Sequence, residues 1–262
     1  MLEIEKRKNM LLEFLPGVMD FLNHTQIKEN LSIEKKGETD LVTEADKGCE
    51  ERLIHFILKN FPHDSILGEE GTNISGSGEL KWIIDPLDGT TNYSHKLPLF
   101  AISIGIENLV RNEIELGVIA LPYFNDIYNT IKGNGAFKNK RQIFTSKNSS
   151  LINCLTCTGF PYNMDGQIDS ILENLKKFLV KSRGIRRTGS AALDLAWVAE
   201  GRFDIFYEMS LHPWDMAAGS LMIEEAGGIV SNFQGGRLNI YEKEILATNQ
   251  YIHKSALDLL LH

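Results

Sequence analysis

Residues 82–100 read WIIDPLDGTTNYSHKLPLF. Trp82, Ile83 and Ile84 suit a buried strand. Asp85 sits where that strand is expected to end, and Pro86 fixes φ so that the chain turns outward. Asp88-Gly89 continues the turn. A D-x-x-D spacing across such a turn aims two carboxylates at one point. Left unpaired, two such groups raise each other's pKa. A hard divalent cation removes that penalty, and Mg²⁺ prefers oxygen ligands. The backbone carbonyl of Leu87, between the two acids, offers a third oxygen. Asp88 can also serve as the N-cap of a short turn or helix at Gly89, Thr90 and Thr91. Free N–H groups there suit a phosphate, with Gly89 allowing close approach. Carboxylates for a metal beside amides for a phosphate describe a phosphoryl-transfer site. The same residues are also good turn chemistry, and this stretch alone leaves the two readings level.

Other acids stand in comparable places. Glu69 and Glu70, in GEEG, follow another short strand; loop-borne acids of this kind are ordinarily solvated. Asp215, in HPWDMAAG, falls at the start of a helix, where a carboxylate is worth ~0.5–1 kcal/mol against the dipole. Asp46, in TEAD, fits a capping box with Thr43.

The bulk properties set the frame. A chain of 262 residues holds one large α/β domain or two tightly joined halves. Its net charge of −8 argues against nucleic acid as the main partner, because phosphate contacts need a basic face. It leaves an anionic substrate open, since bound metal ions reverse the local potential. No segment approaches ~18 unbroken apolar residues, so no membrane span is expected. The N-terminus does not read as a signal peptide: Glu13 and Asp20 break its apolar run and no small-residue cleavage site follows. Leu11, Phe14, Leu15, Val18 and Leu22 recur at helical spacing, and Pro16 is expected to kink that helix. A cytoplasmic location is the default. Cys154 and Cys157 form a C-x-x-C, but a closed zinc site needs four ligands. Three apart in a strand, they face opposite sides and read as reduced packing residues.

Along the chain, the first half mixes helix and strand. A helix follows Thr43 and stops before Pro62, with Leu53, Ile54, Ile57 and Leu58 as its apolar stripe. GTNISGSGEL, residues 71–80, reads as a mobile loop. FAISIGIE, ELGVIALPY and the residues from Asp126 read as strands and hairpins. The second half alternates strand and helix, which implies a layered α/β arrangement. One helix there is capped by Ser190 and stopped by Gly201. The boundary is expected in TSKNSS, residues 145–150, giving units of 1–146 and 147–262. No internal repeat is evident.

GEE, then WIIDPLDGTTNY, then WDMAAG far downstream, together resemble the inositol monophosphatase family of Mg²⁺-dependent, lithium-sensitive phosphatases. DLVTEAD, RRTGSAALDLAWVAEGRFD and EEAGG match as well, so the resemblance runs from about Asp40 to Asn249. It implies the layered α-β-α-β-α sugar-phosphatase fold, α+β in its first half, with the active site between the halves. It implies that Glu69, Asp85 and the Leu87 carbonyl hold one Mg²⁺, and that Asp85, Asp88 and Asp215 hold a second. A third, weaker ion would share Glu69 and water. Thr90, hydrogen-bonded to Asp46, would help take the proton from the attacking water. Phosphate would meet Gly89 and Thr90, and the substrate alcohol Gly189, Ser190, Ala191 and Glu208. Glu208 otherwise reads as an exposed strand-end acid. Glu70 is expected to support Glu69. Lys35 and Lys36 compete for the place of a lysine near the site. The resemblance further implies a homodimer acting on a small phosphate ester, with inositol monophosphate or a similar polyol phosphate first. Adenosine bisphosphates, fructose bisphosphate, histidinol phosphate and dinucleotide phosphates are the runners-up, and a binding role with the transcription machinery is a different class of reading.

Overall fold

Each central strand alternates its apolar residues between two cores, and that alternation builds the layers. The computed structural model describes residues 2–27, 33–35, 41–161 and 166–261. The chain opens with α1 (Leu2–Gln26), the short pair β1 (Ile33–Lys35) and β2 (Leu41–Thr43), and α2 (Glu44–Asn60). Strands β3 (Ser65–Gly68), β4 (Asn73–Ile74) and β5 (Leu80–Asp88) lead into a five-residue helix, α3 (Thr90–Ser94). Antiparallel strands follow: β6 (Ala101–Asn108), β7 (Glu113–Leu121), β8 (Asp126–Ile131), β9 (Ala136–Lys138) and β10 (Arg141–Ile143). Next come β11 (Leu155–Thr158), α4 (Ile168–Lys181), β12 (Gly184–Arg186), α5 (Ala191–Ala199) and β13 (Ile205–Met209). The chain closes with α6 (Pro213–Glu225), β14 (Gly228–Ser231), β15 (Glu244–Asn249) and α7 (His253–Leu261).

Strands β3 to β10 form one eight-stranded sheet, ordered β10-β9-β8-β7-β6-β5-β3-β4. A five-stranded sheet has the order β12-β11-β13-β15-β14, with β12, β11 and β13 mutually parallel. Trp82 and Ile84 of β5 pack with Leu15 of α1 and Leu53 of α2. Ile83, on the opposite face, packs with Ala217 of α6 and Leu193 of α5. In β13, Phe206 joins that same central core, while Ile205 and Tyr207 turn away to Phe178 of α4 and Ala256 of α7. The result is α-β-α-β-α: α1 and α2, the large sheet, α5 and α6, the small sheet, then α4 and α7.

Helix α6 is the tightest fit in this stack. Gly105 and Gly117 face each other across the β6–β7 ladder. A Cβ on Gly105 would lie 2.7 Å from the Ala217 side chain, and one on Gly117 would lie 2.6 Å from the Ala218 carbonyl oxygen. On the other side of the helix, a Cβ on Gly219 would lie 2.5 Å from Leu195 of α5. The small residues of MAAG therefore let α6 lie directly on the large sheet and under α5. The Ser103 hydroxyl donates to the Trp214 carbonyl at 2.9 Å and fixes where the helix begins.

Several details differ from the sequence reading. Helix α1 runs unbroken through Pro16, which is exposed; Leu11, Leu15, Val18 and Leu22 are buried and Phe14 stacks on Phe56. On α2, Leu58 is exposed, and the buried face is Cys49, Leu53, Phe56 and Ile57. Residues 71–80 contain β4, which pairs with β3. Cys154 and Cys157 are buried free thiols in two different cores, as their spacing implied. Among the described residues no helix is long and apolar enough to cross a membrane.

Two glycine substitutions test the packing with opposite signs. Gly117→Ala should destabilise by roughly 1–3 kcal/mol through overpacking against a backbone carbonyl. Gly17, inside α1 with nothing within 4 Å of an added Cβ, should become more stabilising as Ala, by about 0.5–1 kcal/mol. Urea titrations of both variants measure the two changes.

Candidate active site

Residues three apart in a regular strand point to opposite faces. Asp85 and Asp88 escape this rule because β5 does not end at Asp85. It continues to Asp88 with a register shift, pairing Asp85 with Ser103 and Asp88 with Ala101. The extra residue is a bulge, and bulges re-aim side chains. Helix α6, seated on β6 and β7, brings Asp215 in from its first turn. Carboxylate oxygens of Asp85, Asp88 and Asp215 then lie within 4.8 Å of one another.

Each carboxylate is held by a specific partner. Asp85 Oδ1 accepts from the Leu87 amide at 2.9 Å. Asp88 Oδ2 accepts from the Ser190 hydroxyl at 2.7 Å and the Ala192 amide at 2.6 Å, both at the start of α5. Asp88 therefore holds the start of α5, whose N-cap is Ser190 as its spacing predicts, and does not cap the helix that follows it. That place belongs to Gly89, whose φ of +94° is left-handed. Asp215 Oδ2 accepts from the His212 amide at 2.7 Å in a reciprocal capping box, so its helix-terminal role and its place in the cluster coexist. Thr90 donates to Asp46 Oδ1 at 2.8 Å, with the Leu87 carbonyl 3.1 Å from the same hydroxyl. Asp46 is wholly buried behind Thr90. The capping pair with Thr43, the Lys36 position and the Lys35 side chain lie outside the described residues.

Burial, then the neighbouring Glu69, Asp88 and Asp215, pushes the Asp85 carboxyl well above the ordinary carboxylate range, and Glu69 also hydrogen-bonds to it. Burial raises Asp88 to about 6, opposed by the Ser190 and Ala192 hydrogen bonds and by Arg187. Asp215 is raised by burial and then by Asp88.

A cavity of about 540 Å³ opens over these groups. Glu69, Leu87, Gly89, Thr90, Gly189, Ser190, Ala191 and Glu208 line it with the three aspartates. Of the metal-side and substrate-side residues expected from the sequence, all but Asp46 reach its wall; Glu70, expected to support Glu69, does not line it. Glu208 is half-buried and faces the cavity rather than open solvent. A Cβ on Gly159 would lie 2.2 Å from the Glu208 carboxylate, so the bare backbone of Gly159 makes room for it. Arg187, Asp194, Gln167 and Lys243 also line the cavity and were not anticipated. Arg187 and Asp194 lie inside the RRTGSAALDLA segment and were within reach of a closer reading. Lys243 precedes β15 and carries no local signal.

Residues 17–261 match the inositol monophosphatase family. The chain belongs to that family. Among its relatives, the Nus factor SuhB of Pseudomonas aeruginosa is 41% identical over 87% of this chain and 85% of its own length. The inositol-1-monophosphatase of Mesorhizobium japonicum is 39% identical over 87% of this chain and 86% of its own. The crystal structure of the extragenic suppressor protein suhB from Bartonella henselae superposes with a TM-score of 0.93 at 36% identity, covering 97% of this chain and 98% of that one.

Gly89 joins the two motifs physically, since a Cβ there would lie 2.9 Å from the Leu99 carbonyl and 3.2 Å from that of Gly189. Gly133 shares the left-handed φ, at +82°, but has open space. Gly89→Ala should therefore lower the melting temperature clearly more than Gly133→Ala, which carries only the ~1–2 kcal/mol cost of the left-handed backbone. Paired calorimetric scans give the difference that belongs to the close approach.

Proposed function

We propose that this chain is a Mg²⁺-dependent phosphate monoester hydrolase acting on inositol monophosphate or a similar polyol phosphate. The observation that carries the reading is the convergence of Asp85, Asp88 and Asp215 with the Thr90–Asp46 pair at their edge.

The donor set fits the ion. Carboxylates and a backbone carbonyl are hard oxygen ligands, which Mg²⁺ prefers over nitrogen or sulfur. Glu69, Asp85 and the Leu87 carbonyl would hold one ion, and Asp85, Asp88 and Asp215 a second; a third would share Glu69. Because both hydrogen bonds to Asp88 go to Oδ2, its Oδ1 is left for a cation. Bound Mg²⁺ supplies an acidified water and positive charge for the departing oxygen.

The protein's own groups supply the rest. Thr90 directs its O–H at Asp46, so its oxygen lone pairs are available to a water in the cavity. Passing its proton to Asp46, Thr90 takes the proton of the attacking water. Gly89, without a side chain, lets phosphate oxygens approach the backbone of the α3 N-terminus. Glu208, seated over Gly159 in the cavity wall, accepts hydrogen bonds from hydroxyls of the alcohol half. A related reading within the family replaces the polyol by an adenosine bisphosphate, fructose bisphosphate, histidinol phosphate or a dinucleotide phosphate. The name Nus factor, carried by several relatives including those of Pseudomonas aeruginosa and Escherichia coli, favours a second role as a binding protein beside the transcription machinery, compatible with the hydrolase reading.

Phosphate release from a panel of esters, with and without Mg²⁺, tests the proposal. Release from polyol phosphates only when Mg²⁺ is present is the expected result; no release from any ester overturns it and leaves the binding role. Thr90→Ala should lower kcat by ~10²–10⁴ for every ester. Glu208→Gln should change the ranking among esters by ~1–3 kcal/mol and spare p-nitrophenyl phosphate, which has no polyol hydroxyls.

A further inference from the structure

Helix α2 carries two buried carboxylates one turn apart, Asp46 and Glu50. At i and i+4 they lie on one face of the helix. Asp46 holds Thr90. Glu50 holds something else: its Oε2 accepts from the Glu70 amide at 3.0 Å, and its Oε1 accepts from the Thr72 hydroxyl. We propose that Glu50 is a positioning residue for the Glu69 side of the metal site, fixing the loop from which Glu69 projects. This inference rests on the hydrolase reading above.

Gly68 N donates to the Thr72 carbonyl at 2.8 Å and closes the turn, and Glu69 N donates to the Ile84 carbonyl at 3.2 Å. Glu50 ties the turn to a third element, with one carboxylate oxygen on the residue after Glu69 and the other on Thr72. A buried carboxylate is costly unless hydrogen-bonded, so Glu50 favours the loop position in which both contacts are made. Gly68 is part of the arrangement. A Cβ there would lie 2.8 Å from Glu50 Oε2, so only a bare backbone lets the carboxylate reach beneath the strand end. A single rigid helix thus registers two parts of the site, the Thr90 hydroxyl through Asp46 and the Glu69 loop through Glu50. Partners that orient metal ligands are commonly worth ~10–100-fold in metal affinity.

The test is Mg²⁺ binding by titration calorimetry, with hydrogen exchange at the Glu70 amide as a second readout. Glu50→Ala should weaken Mg²⁺ binding ~10–100-fold and speed Glu70 exchange, while kcat at saturating Mg²⁺ stays within a few-fold. Glu50→Gln keeps an acceptor for the Glu70 amide and should recover most of the affinity. Thr72→Val approaches the same contact from the loop and should shift affinity in the same direction by less; it decides the matter if Glu50→Ala does not fold. Unchanged Mg²⁺ affinity in folded Glu50→Ala and Thr72→Val overturns the inference. An unsubstituted protein that binds no Mg²⁺ overturns the hydrolase reading and this inference with it, and fast Glu70 exchange in the variants then marks Glu50 as a loop anchor alone.

Discussion

The site depends on how closely α6 lies on the large sheet. Gly105 and Gly117 remove two side chains at one point of the β6–β7 ladder, and Ala217 and Ala218 fill that space from above. Any larger residue in this contact would lift the helix and carry Asp215 away from β5. Close packing without voids makes such a displacement discrete rather than gradual. Ser103 adds direction to the contact by holding the Trp214 carbonyl, one residue from Asp215. A feature of the core, built from the smallest residues in the chain, therefore sets the geometry of the most polar place in the molecule.

The second constraint is electrostatic. Asp85, Asp88 and Asp215 are brought together against their mutual repulsion and against burial, and all three carboxyls are raised as a result. The protein offsets part of this with the start of α5, which gives Asp88 a hydroxyl and a backbone amide. The same bond ties the large sheet to the helical layer above it, so the charge cluster and the layer contact are one structure. A cation of hard character would complete such a site, and folding alone has already supplied the ordering that binding would otherwise require.

Much of this was legible in the sequence. The layered second half is legible in its alternation of strand and helix, the five layers are what the family resemblance implies, and the metal-side and alcohol-side residues of the motifs line one cavity with Asp46 buried beside it. The misses have physical causes. Local spacing allows Asp88 to cap its own short helix, yet its carboxylate accepts instead from the first turn of a helix over 100 positions away in the chain. The strand through Pro86 was cut short because a proline usually interrupts a ladder, yet a bulge accommodates it. Leu58 was placed in the apolar stripe by hydrophobicity, whereas the packed face of α2 is centred on Cys49, Leu53 and Phe56. Glu50 passed unremarked because a glutamate on a helix is ordinarily solvated, and nothing local shows that a loop folds over it. Lys243 reaches the cavity through tertiary structure alone.

The central claim is that three carboxylates from two separate elements form a cation site. Anomalous diffraction from crystals grown with Mn²⁺ in place of Mg²⁺ tests it most directly. The account requires a peak between Asp85, Asp88 and Asp215, at ~2–2.5 Å from an oxygen of each. A map with no peak there, at Mn²⁺ concentrations that saturate ordinary Mg²⁺ enzymes, would contradict it and leave the cluster as three protonated or hydrogen-bonded acids.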